Sequence, residues 1–371
     1  MSARPLQETP SSAAHDAVHA RHARRRAGHS LRLLSLCCTV LIQSAACGTE
    51  GSRAPGRDAE RRTVRVGVLP WLTNAAVLIA FEEGYFADAG VDVELVRLNG
   101  GNSGTPLLAS GEMEVVAGPA SPGVLNVIAR GGALRIVADK AYIPHRDSSD
   151  CVNTAVLVRR DLAKAARESG ATPTLRRVRR TDTAGLEYFI ERAFAAAGID
   201  TTDIEFFRIA STAATLEAMS TGAVDATSTA EPVTTRLLDE GHAVLWDARD
   251  HTPGLPYGFI LYGPTLLERD REAGIRFMTA YLRGVRQYGA GKTERNIEVL
   301  ARSLGEEPAL LRRACWPPLR SDGRLDTGPL GPFQEWALQR GHLDRIVEPS
   351  EYWDPYFVEQ ALRRLGASNP R

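Results

Sequence analysis

The residues of this sequence that could do chemistry are polar and aromatic side chains that follow the ends of predicted strands. They are Trp71, Asn74, Asn102, Ser103, Ser121, Arg180, Asp182, Thr183, Thr212, Thr229, Glu231 and Tyr257. In an open α/β sheet, ligands bind beyond the carboxyl ends of the strands. Hydrogen-bonding groups combined with a few aromatic rings suit a small polar molecule. We therefore predict that these residues line a ligand-binding cleft.

Helix capping is the alternative explanation for each of these residues taken singly. Asp182 or Thr183, for example, stands directly before a predicted helix at Ala184, where an oxygen-bearing side chain caps the first turn. The role of the glycine-rich stretch 100–105 also has two explanations. Its N–H groups can donate to a ligand oxygen, or the stretch can simply form a turn. The recurrence of such residues at equivalent loops favours a shared cleft.

The charge of the ligand is left open by these residues. Asp182 and Glu231 would repel an anion in a partly dry cleft and would suit an aminopyrimidine or an ammonium group. Arg180 can instead clamp a sulfonate or carboxylate through two parallel hydrogen bonds. If Arg180 and Asp182 pair with each other, both arguments weaken. Because Trp71 and Tyr257 can stack on a flat ring, we favour a nitrogen heterocycle over an anion.

Sequence patterns that mark common catalytic and cofactor sites are missing from the chain. It has no nucleotide-binding glycine loop, no His-Glu-x-x-His, no Cys-x-x-Cys and no Gly-x-Ser-x-Gly. The histidines after residue 62 are scattered at His145, His242, His251 and His342. We therefore expect no catalytic centre, no metal site and no cofactor.

A stretch that occurs twice indicates which elements position the cleft. The first copy comprises residues 89–92, 93–98 and 110–114. The second copy comprises residues 197–200, 204–209 and 221–225. Each copy predicts a helix that ends at a glycine, then a strand, a loop, a helix, a second glycine and another strand. Helices that alternate with short strands indicate a parallel α/β unit. We predict two similar lobes; chance similarity of two such units is the alternative.

The predicted strands continue beyond this repeat. They occupy residues 64–69, 93–98, 115–118, 134–138, 154–158, 175–180, 204–209 and 244–246, and residues 253–262 look like the crossing back to the first lobe. Four arginines within residues 175–180 are unusual for a central strand. Apolar stripes at helical spacing, one from Ile275 to Tyr288 and one at Phe333, Trp336 and Ala337, predict core packing. We assign residues 63–148 and 255–371 to lobe I and residues 149–254 to lobe II.

Composition excludes some partners and indicates export. The chain has 371 residues, 43% of them hydrophobic, and a formal net charge of zero, so it has no basic field to hold nucleic acid. Residues 1–47 combine a basic patch, a short apolar run and small residues, as export signals do. The small residues before Cys47 resemble a lipoprotein signal, with Cys47 lipidated; a plain secretory signal is the alternative. Residues 48–62 predict a flexible tether.

Two cysteines, Cys151 and Cys315, lie in the body of the chain. In an oxidising compartment they can form a disulfide, or they can be two buried thiols. The sequence does not give their separation, so both possibilities remain.

Several motifs resemble those of the nitrate, sulfonate, taurine and pyrimidine-precursor family of ABC-transporter solute-binding proteins. The resemblance covers residues 63–365 and rests on Val64-x-Val66-Gly67-x-x-Pro70, Glu83-Gly84-Tyr85-Phe86, the run 89–94, Ser110-Gly111-Glu112, Gly222-Ala223-Val224-Asp225, Glu231-Pro232 and the run 348–352. Ala230 departs from the family, which commonly has tryptophan there. Another departure is the replacement, around Thr183, of the Gly-Ser expected before the second-lobe helix.

The resemblance implies an α/β fold of two Rossmann-like lobes joined by two hinge strands, the type II periplasmic-binding fold. It also implies a lipid-anchored monomer outside the cytoplasmic membrane, or in the periplasm, that delivers a small-molecule ligand to the membrane subunits of an ABC permease. The alternatives are an enzyme on the same fold, of the pyrimidine-precursor or menaquinone-pathway type, and a ligand-sensing receptor lobe. The departures fall on the ligand-facing side of lobe II, so the resemblance does not identify the ligand.

Overall fold

The structure, a computed structural model, describes residues 63–180, 183–209 and 211–367 of the chain. The predicted signal peptide with Cys47, the predicted tether and Asp182 lie outside the described residues. Within the described ranges, none of the helices combines the length and the apolarity that crossing a membrane requires.

The strands are numbered along the chain. They are β1 (Thr63–Val68), β2 (Asp92–Arg97), β3 (Val115–Pro119), β4 (Arg135–Tyr142), β5 (Thr154–Val158), β6 (Arg177–Arg180), β7 (Glu205–Arg208), β8 (Ala226–Ala230), β9 (Ala243–Asp247) and β10 (Pro256–Tyr262).

The α-helices are numbered in the same way. They are α1 (Ala75–Glu82), α2 (Tyr85–Asp88), α3 (Gly104–Ala109), α4 (Pro122–Ala129), α5 (Arg160–Ser169), α6 (Ala184–Ala196), α7 (Thr212–Thr221), α8 (Val233–Asp239), α9 (Ala248–His251), α10 (Arg271–Gly289), α11 (Glu294–Leu304), α12 (Pro308–Arg313), α13 (Leu330–Gln339), α14 (Pro349–Tyr352) and α15 (Tyr356–Ala367). Short 3₁₀ segments span Leu72–Asn74 and Arg146–Ser148, and a π-helical turn spans Thr265–Arg269.

The strands of the described residues form two five-stranded sheets. The first has the order β2-β1-β3-β10-β4 and the second the order β7-β6-β8-β5-β9. In the first, β1 runs parallel to β2 and β3, and β10 runs antiparallel to β3 and β4. In the second, β6 runs parallel to β7 and β8, and β5 runs antiparallel to β8 and β9. The two sheets therefore repeat one arrangement, as two similar lobes require.

The predicted parallel pairing is correct only for part of each sheet. The antiparallel strands β5 and β10 are those through which the chain enters one sheet after leaving the other. The first residues of β5 pair with the end of β8, and those of β10 with the end of β3. A strand that enters at the carboxyl ends of parallel strands must run against them. The sheets are therefore mixed.

Left-handed glycines explain why the repeated sequence has glycine where it does. Gly90 and Gly198, which follow α2 and α6, have φ values of 75° and 64°. Gly111 and Gly222, which follow α3 and α7, both have a φ of 77°. Residues with a Cβ are strained at such values, so glycine ends each helix and directs the chain into the next strand.

The acid that closes each repeat also has a structural role. Glu114 Oε2 accepts a hydrogen bond from the Arg65 backbone N–H at 2.9 Å. Asp225 Oδ2 accepts hydrogen bonds from the backbone N–H groups of Arg176 and Arg177, at 2.8 and 2.9 Å. Both carboxylates are buried. Each therefore fastens the start of a neighbouring parallel strand, β1 in one sheet and β6 in the other.

The arginines of β6 are accommodated by neighbouring loops. The Arg177 guanidinium donates to the Gly222 carbonyl at 2.7 Å, and that of Arg179 donates to the Ile209 carbonyl at 2.8 and 3.0 Å. Because the charged ends reach carbonyl oxygens beyond the strand, the backbone keeps its pairing inside the sheet. The strand itself begins at Arg177, two residues after the predicted start.

Both predicted apolar stripes belong to the core. From Ile275 to Tyr288, the stripe on α10 is buried where α10 packs between α1 and α15. On α13, Phe333 and Ala337 are buried, and Trp336 contacts the Tyr188 ring of α6 at a centroid distance of 5.4 Å. The core-packing prediction is therefore confirmed.

Cys151 and Cys315 form a disulfide, with a Cα–Cα distance of 5.6 Å. Cys151 lies on the crossing between β4 and β5, and Cys315 follows α12. Nearby ion pairs between Arg236 and Glu306, and between Arg313 and Asp239 at 2.6 Å, join the same C-terminal segment to α8. The disulfide therefore lies in a cluster of contacts that holds residues 306–315 against the second sheet.

Replacing Asp225 with alanine should lower the free energy of unfolding by about 1–3 kcal/mol, because two partly buried N–H groups lose their acceptor. Urea denaturation of the variant measures this loss. The matched control is Asp203→Ala, at an exposed turn position, which should change stability by no more than about 0.5 kcal/mol. Equal effects of the two substitutions would contradict the structural role of Asp225.

Replacing Cys151 and Cys315 together with serine should lower the free energy of unfolding by about 2–5 kcal/mol, since the link closes a loop of 164 residues. Urea denaturation with and without a dithiol reductant measures the effect. The reductant should destabilise the wild type and leave the double variant unchanged. A double variant as stable as the oxidised wild type would show that the link contributes little.

Candidate functional site

A cavity of about 910 Å³, measured with its opening to solvent, lies between the two sheets; we call it the inter-sheet cavity. The first sheet and its connections contribute Pro70, Trp71, Thr73, Pro119, Lys140 and Tyr257. From the second sheet come, among others, Arg179, Thr183, Thr212, Ser228, Thr229 and Glu231. Carboxyl ends of the parallel strands β1, β3, β6 and β8 thus meet at this cavity, where ligands of open α/β sheets bind.

Six of the residues selected from the sequence line the inter-sheet cavity. They are Trp71, Thr183, Thr212, Thr229, Glu231 and Tyr257. Thr212 is exposed, Trp71 is half-buried, and Tyr257 is 7% exposed. The structure therefore brings together residues that lie up to 186 positions apart in the chain, at one place with both polar and aromatic walls.

Asn74 lies behind the wall of the cavity and does not line it. Its side chain is fully buried, and its Nδ2 donates to the Leu69 carbonyl at 2.7 Å. Its Oδ1 accepts a hydrogen bond from Lys140 Nζ at 2.8 Å. Asn74 therefore fixes the position of Lys140, a cavity residue, and its direct contact with a ligand stays a prediction.

Asn102, Ser103 and Ser121 make local contacts and are not among the residues that line the cavity, so their contact with a ligand stays a prediction. Ser121 Oγ donates to Asn102 Oδ1 at 2.8 Å and accepts from the Gly123 backbone N–H at 3.1 Å, which caps α4. Ser103 is exposed, and its Oγ donates to the Gly100 carbonyl at 2.8 Å. These contacts are those of turns and helix caps, the alternative that the sequence left open.

Arg180 does not face the cavity, and its neighbour Arg179 does. The Arg180 guanidinium donates to Glu187 at 3.0 Å and lies 4.2 Å from the centre of the Phe206 ring. The structure therefore places Arg180 away from the cavity lining, and the clamp of an anion by Arg180 stays a prediction. Consecutive side chains of a strand point to opposite faces, so an error of one residue moves the charge to the other face.

Glu231 is 3% exposed, and protein groups bind both of its carboxylate oxygens. Oε1 accepts from the Cys315 backbone N–H at 2.9 Å and from the Thr235 hydroxyl at 2.8 Å. Oε2 accepts from the Thr235 backbone N–H at 3.1 Å. Burial raises the pKa of Glu231, and these donors oppose the rise. Glu231 therefore connects the cavity wall to the loop that carries the disulfide.

Lys140 is the cavity residue of greatest chemical interest that the sequence analysis missed. It lies within β4 and is 1% exposed. Its Nζ donates to Asn74 Oδ1 at 2.8 Å and to Thr73 Oγ1 at 3.2 Å. Burial lowers the pKa of Lys140 to about 7, and the adjacent Asp139 opposes the shift. The predicted strand 134–138 ends before Lys140, and a lone lysine just beyond it gives no sequence signal of this location.

The inter-sheet cavity offers groups that can contact a polar or charged molecule. Cationic groups are supplied by Lys140 and Arg179, hydroxyl groups by threonines and serine, and flat or apolar walls by Trp71, Tyr257 and prolines. Among the described residues that line it, none is a cysteine or a histidine. The described part of the chain also has no group of three or more His, Cys, Asp or Glu side chains placed to hold a metal ion.

Solved structures resemble this chain at low sequence identity. The alkanesulfonate-binding protein SsuA from Xanthomonas axonopodis pv. citri, bound to MOPS, superposes with a TM-score of 0.61 at 18% identity, covering 78% of this chain and 98% of its own. The periplasmic nitrate-binding protein NrtA from Synechocystis PCC 6803 gives 0.63 at 14% identity, covering 82% and 89%. The desulfurization enzyme DSZB gives 0.61 at 18% identity, covering 82% and 100%.

These likenesses establish the fold, which is the two-lobed fold of periplasmic binding proteins, as the sequence resemblance implied. A search of curated proteins finds no match in sequence. The model of the NMT1-like family matches residues 57–286. Since that match spans more than half of the chain, the protein belongs to the NMT1-like family.

Proposed function

We propose that the protein is an extracytoplasmic solute-binding protein of an ABC importer. It captures a small polar organic molecule in the inter-sheet cavity and delivers it to a membrane permease. The observation that carries this proposal is a cavity whose walls come from both sheets and combine cations, hydroxyl groups and aromatic rings. The binding of a sulfonate and of nitrate by SsuA and NrtA, which share the fold, supports it.

Binding in such a cavity needs no chemical step. A ligand that touches both sheets favours the arrangement in which they are close, by its difference in affinity between the closed and open forms. A dissociation constant near 1 μM corresponds to about −8 kcal/mol. A few hydrogen bonds and one stacked ring are sufficient for a free energy of this size.

The walls of the cavity suit a flat ring. Trp71 and Tyr257 offer aromatic surfaces, and the nearby Pro70 and Pro119 are apolar. Ala230 leaves room that the tryptophan common in this family would occupy. We therefore retain a nitrogen heterocycle, such as a pyrimidine precursor, as the first ligand class, with sulfonate, taurine or nitrate-type anions as the second.

Export and anchoring complete the proposed function. Residues 1–47 act as the signal, Cys47 carries the lipid, and residues 48–62 form the tether that lets a monomer reach the permease. The division of the mature chain into lobe I (63–148 and 255–371) and lobe II (149–254) is the one that this mechanism uses. The crossings of the chain between the sheets, at residues 143–153 and 248–255, support that division.

Catalysis is the second candidate function, because the enzyme DSZB has the same fold. Nucleophilic catalysis needs an activated nucleophile beside a base. None of the described residues that line the inter-sheet cavity carries a thiol or an imidazole group, which favours binding over turnover.

A thermal-shift screen of aminopyrimidines, sulfonates and small carboxylates should give a rise in melting temperature for at least one class. A ligand at a hundred times its dissociation constant stabilises the folded state by about 2.7 kcal/mol. Mass spectrometry of the recovered ligand should show that it is chemically unchanged; conversion to a product would support the enzyme instead.

The control for this screen is Ala230→Trp, which places a large ring in the cavity wall and should change the size of the shift while the circular dichroism spectrum stays the same. Ala195→Trp, the same change at an exposed position of α6, should retain the shift. A shift that Ala230→Trp leaves unchanged would place the ligand outside the inter-sheet cavity.

A further inference from the structure

Lys140 places a charged group in the wall of the inter-sheet cavity, where charge is costly. An ammonium group taken out of water without a counter-ion loses several kcal/mol of solvation. The two acceptors of Lys140 Nζ, Thr73 Oγ1 and Asn74 Oδ1, are both neutral oxygens. Among the described residues, no carboxylate lies within 4.0 Å of Nζ. The protein itself therefore satisfies part of the hydrogen bonding of this group, and no ion pair neutralises its charge.

None of the acids nearest to Lys140 pairs with it within the described part of the chain. Asp139 precedes it on β4; both of its carboxylate oxygens are buried without a hydrogen-bond partner among the described residues, and burial raises the pKa of Asp139 to about 7 although the Arg320 charge opposes the rise. Glu231, across the cavity, accepts hydrogen bonds from Cys315 and Thr235. Glu306, at the rim, pairs with Arg236. The cavity thus presents cationic groups to its interior, while its acids are held by other partners.

The third N–H of Lys140 is the one that a ligand can use. An ammonium group has three donors, and two of them reach Thr73 and Asn74. Gly258 on β10 leaves room beside the side chain, because a Cβ there would lie 3.0 Å from Lys140 Cε and 3.4 Å from Nζ. The side chain is therefore held from two sides, at the wall of a cavity that also contains the Arg179 guanidinium.

We propose that Lys140 is the residue that selects the ligand, and that the ligand is a flat molecule carrying a carboxylate or sulfonate group. An oxygen of that group accepts the remaining N–H of Lys140, and the ring lies against Trp71 and Tyr257. This inference rests on the proposed function and narrows it. It combines the two ligand classes considered above, because an acidic group on a heterocycle uses the aromatic walls and the buried cation together.

The anion provides what the protein lacks at this position. A charge-assisted hydrogen bond is roughly twice as strong as a neutral one, and in a partly dry cavity it is screened less than in water. A neutral ligand of the same shape leaves the ammonium without a counter-ion. The acidic member of a matched pair of ligands should therefore bind more tightly than its amide.

The test uses three matched pairs: nicotinate and nicotinamide, benzoate and benzamide, and benzenesulfonate and benzenesulfonamide. Isothermal titration of the wild type at pH 6 should give an acid that binds at least about tenfold more tightly than its amide, a difference of about 1.4 kcal/mol. In Lys140→Met the two members of that pair should bind within about twofold of each other, with little change for the amide.

Two further variants keep the test interpretable. Lys164→Met removes the same charge from an exposed lysine of α5 and should retain the preference for the acid. Lys140→Gln keeps a donor for Asn74 and should lose the preference as Lys140→Met does, so the result does not depend on the folding of one variant. Circular dichroism and melting temperature report the folding of each.

Three outcomes would overturn the inference. The wild type binds an amide as tightly as its acid, the preference survives both substitutions of Lys140, or the wild type binds neutral aminopyrimidines of the thermal-shift screen and none of the three acids. Each of these results would contradict ligand selection by Lys140 and would leave the proposed solute binding unaffected. If the wild type binds no compound of either set, the proposed function falls with it.

Discussion

The structure depends on one constraint of connectivity: each sheet contains a strand that the chain forms directly after it has left the other sheet. β5 and β10 enter where the parallel strands end, so the carboxyl ends of both sets of parallel strands face the same region. The chain must therefore form part of one sheet before it can complete the other. The position of the cavity is set by the connections between the two sheets. The inter-sheet cavity is a consequence of this connectivity and not of any single loop.

Acidic and basic side chains have different roles around the inter-sheet cavity. Buried acids such as Glu114 and Asp225 bind backbone N–H groups at the starts of strands, and Glu231 binds the loop after α12. Acids are therefore used to hold the framework. Lys140 and Arg179, in contrast, place cationic groups at the cavity; Lys140 donates to the neutral oxygens of Thr73 and Asn74, and Arg179 donates to the Ile209 carbonyl. A ligand that brings negative charge completes this arrangement.

Much of the framework could be predicted from the sequence, because its signals are local. Glycines with positive φ mark the helix ends of both repeats, and apolar spacing identifies the buried face of α10. The antiparallel strands could not be predicted in this way, since their direction depends on where the chain re-enters a sheet. The sequence also could not decide whether Cys151 and Cys315 form a disulfide. The two cysteines are 164 residues apart in the chain, and only the folded structure gives their distance in space.

The site was predictable in its general location and less so in its particular residues. Loops after strands supplied Trp71, Thr183 and Glu231 correctly as cavity residues, because strand ends can be located from the pattern. Arg179 lines the cavity, whereas Arg180 contacts Glu187, because one residue of register decides which face of the strand a side chain occupies. Lys140 was missed because the predicted strand ends at residue 138, whereas β4 continues to Tyr142 and carries Lys140 to the cavity wall.

Hydrogen exchange measured by mass spectrometry, with and without the compound that gives the largest thermal shift, tests the central claim most directly. If the ligand is held between the sheets, protection should increase together in peptides containing residues 70–73 and in peptides containing residues 228–235. These two segments lie on opposite sides of the cavity. Protection confined to one segment, or to neither, would contradict a site built from both sheets.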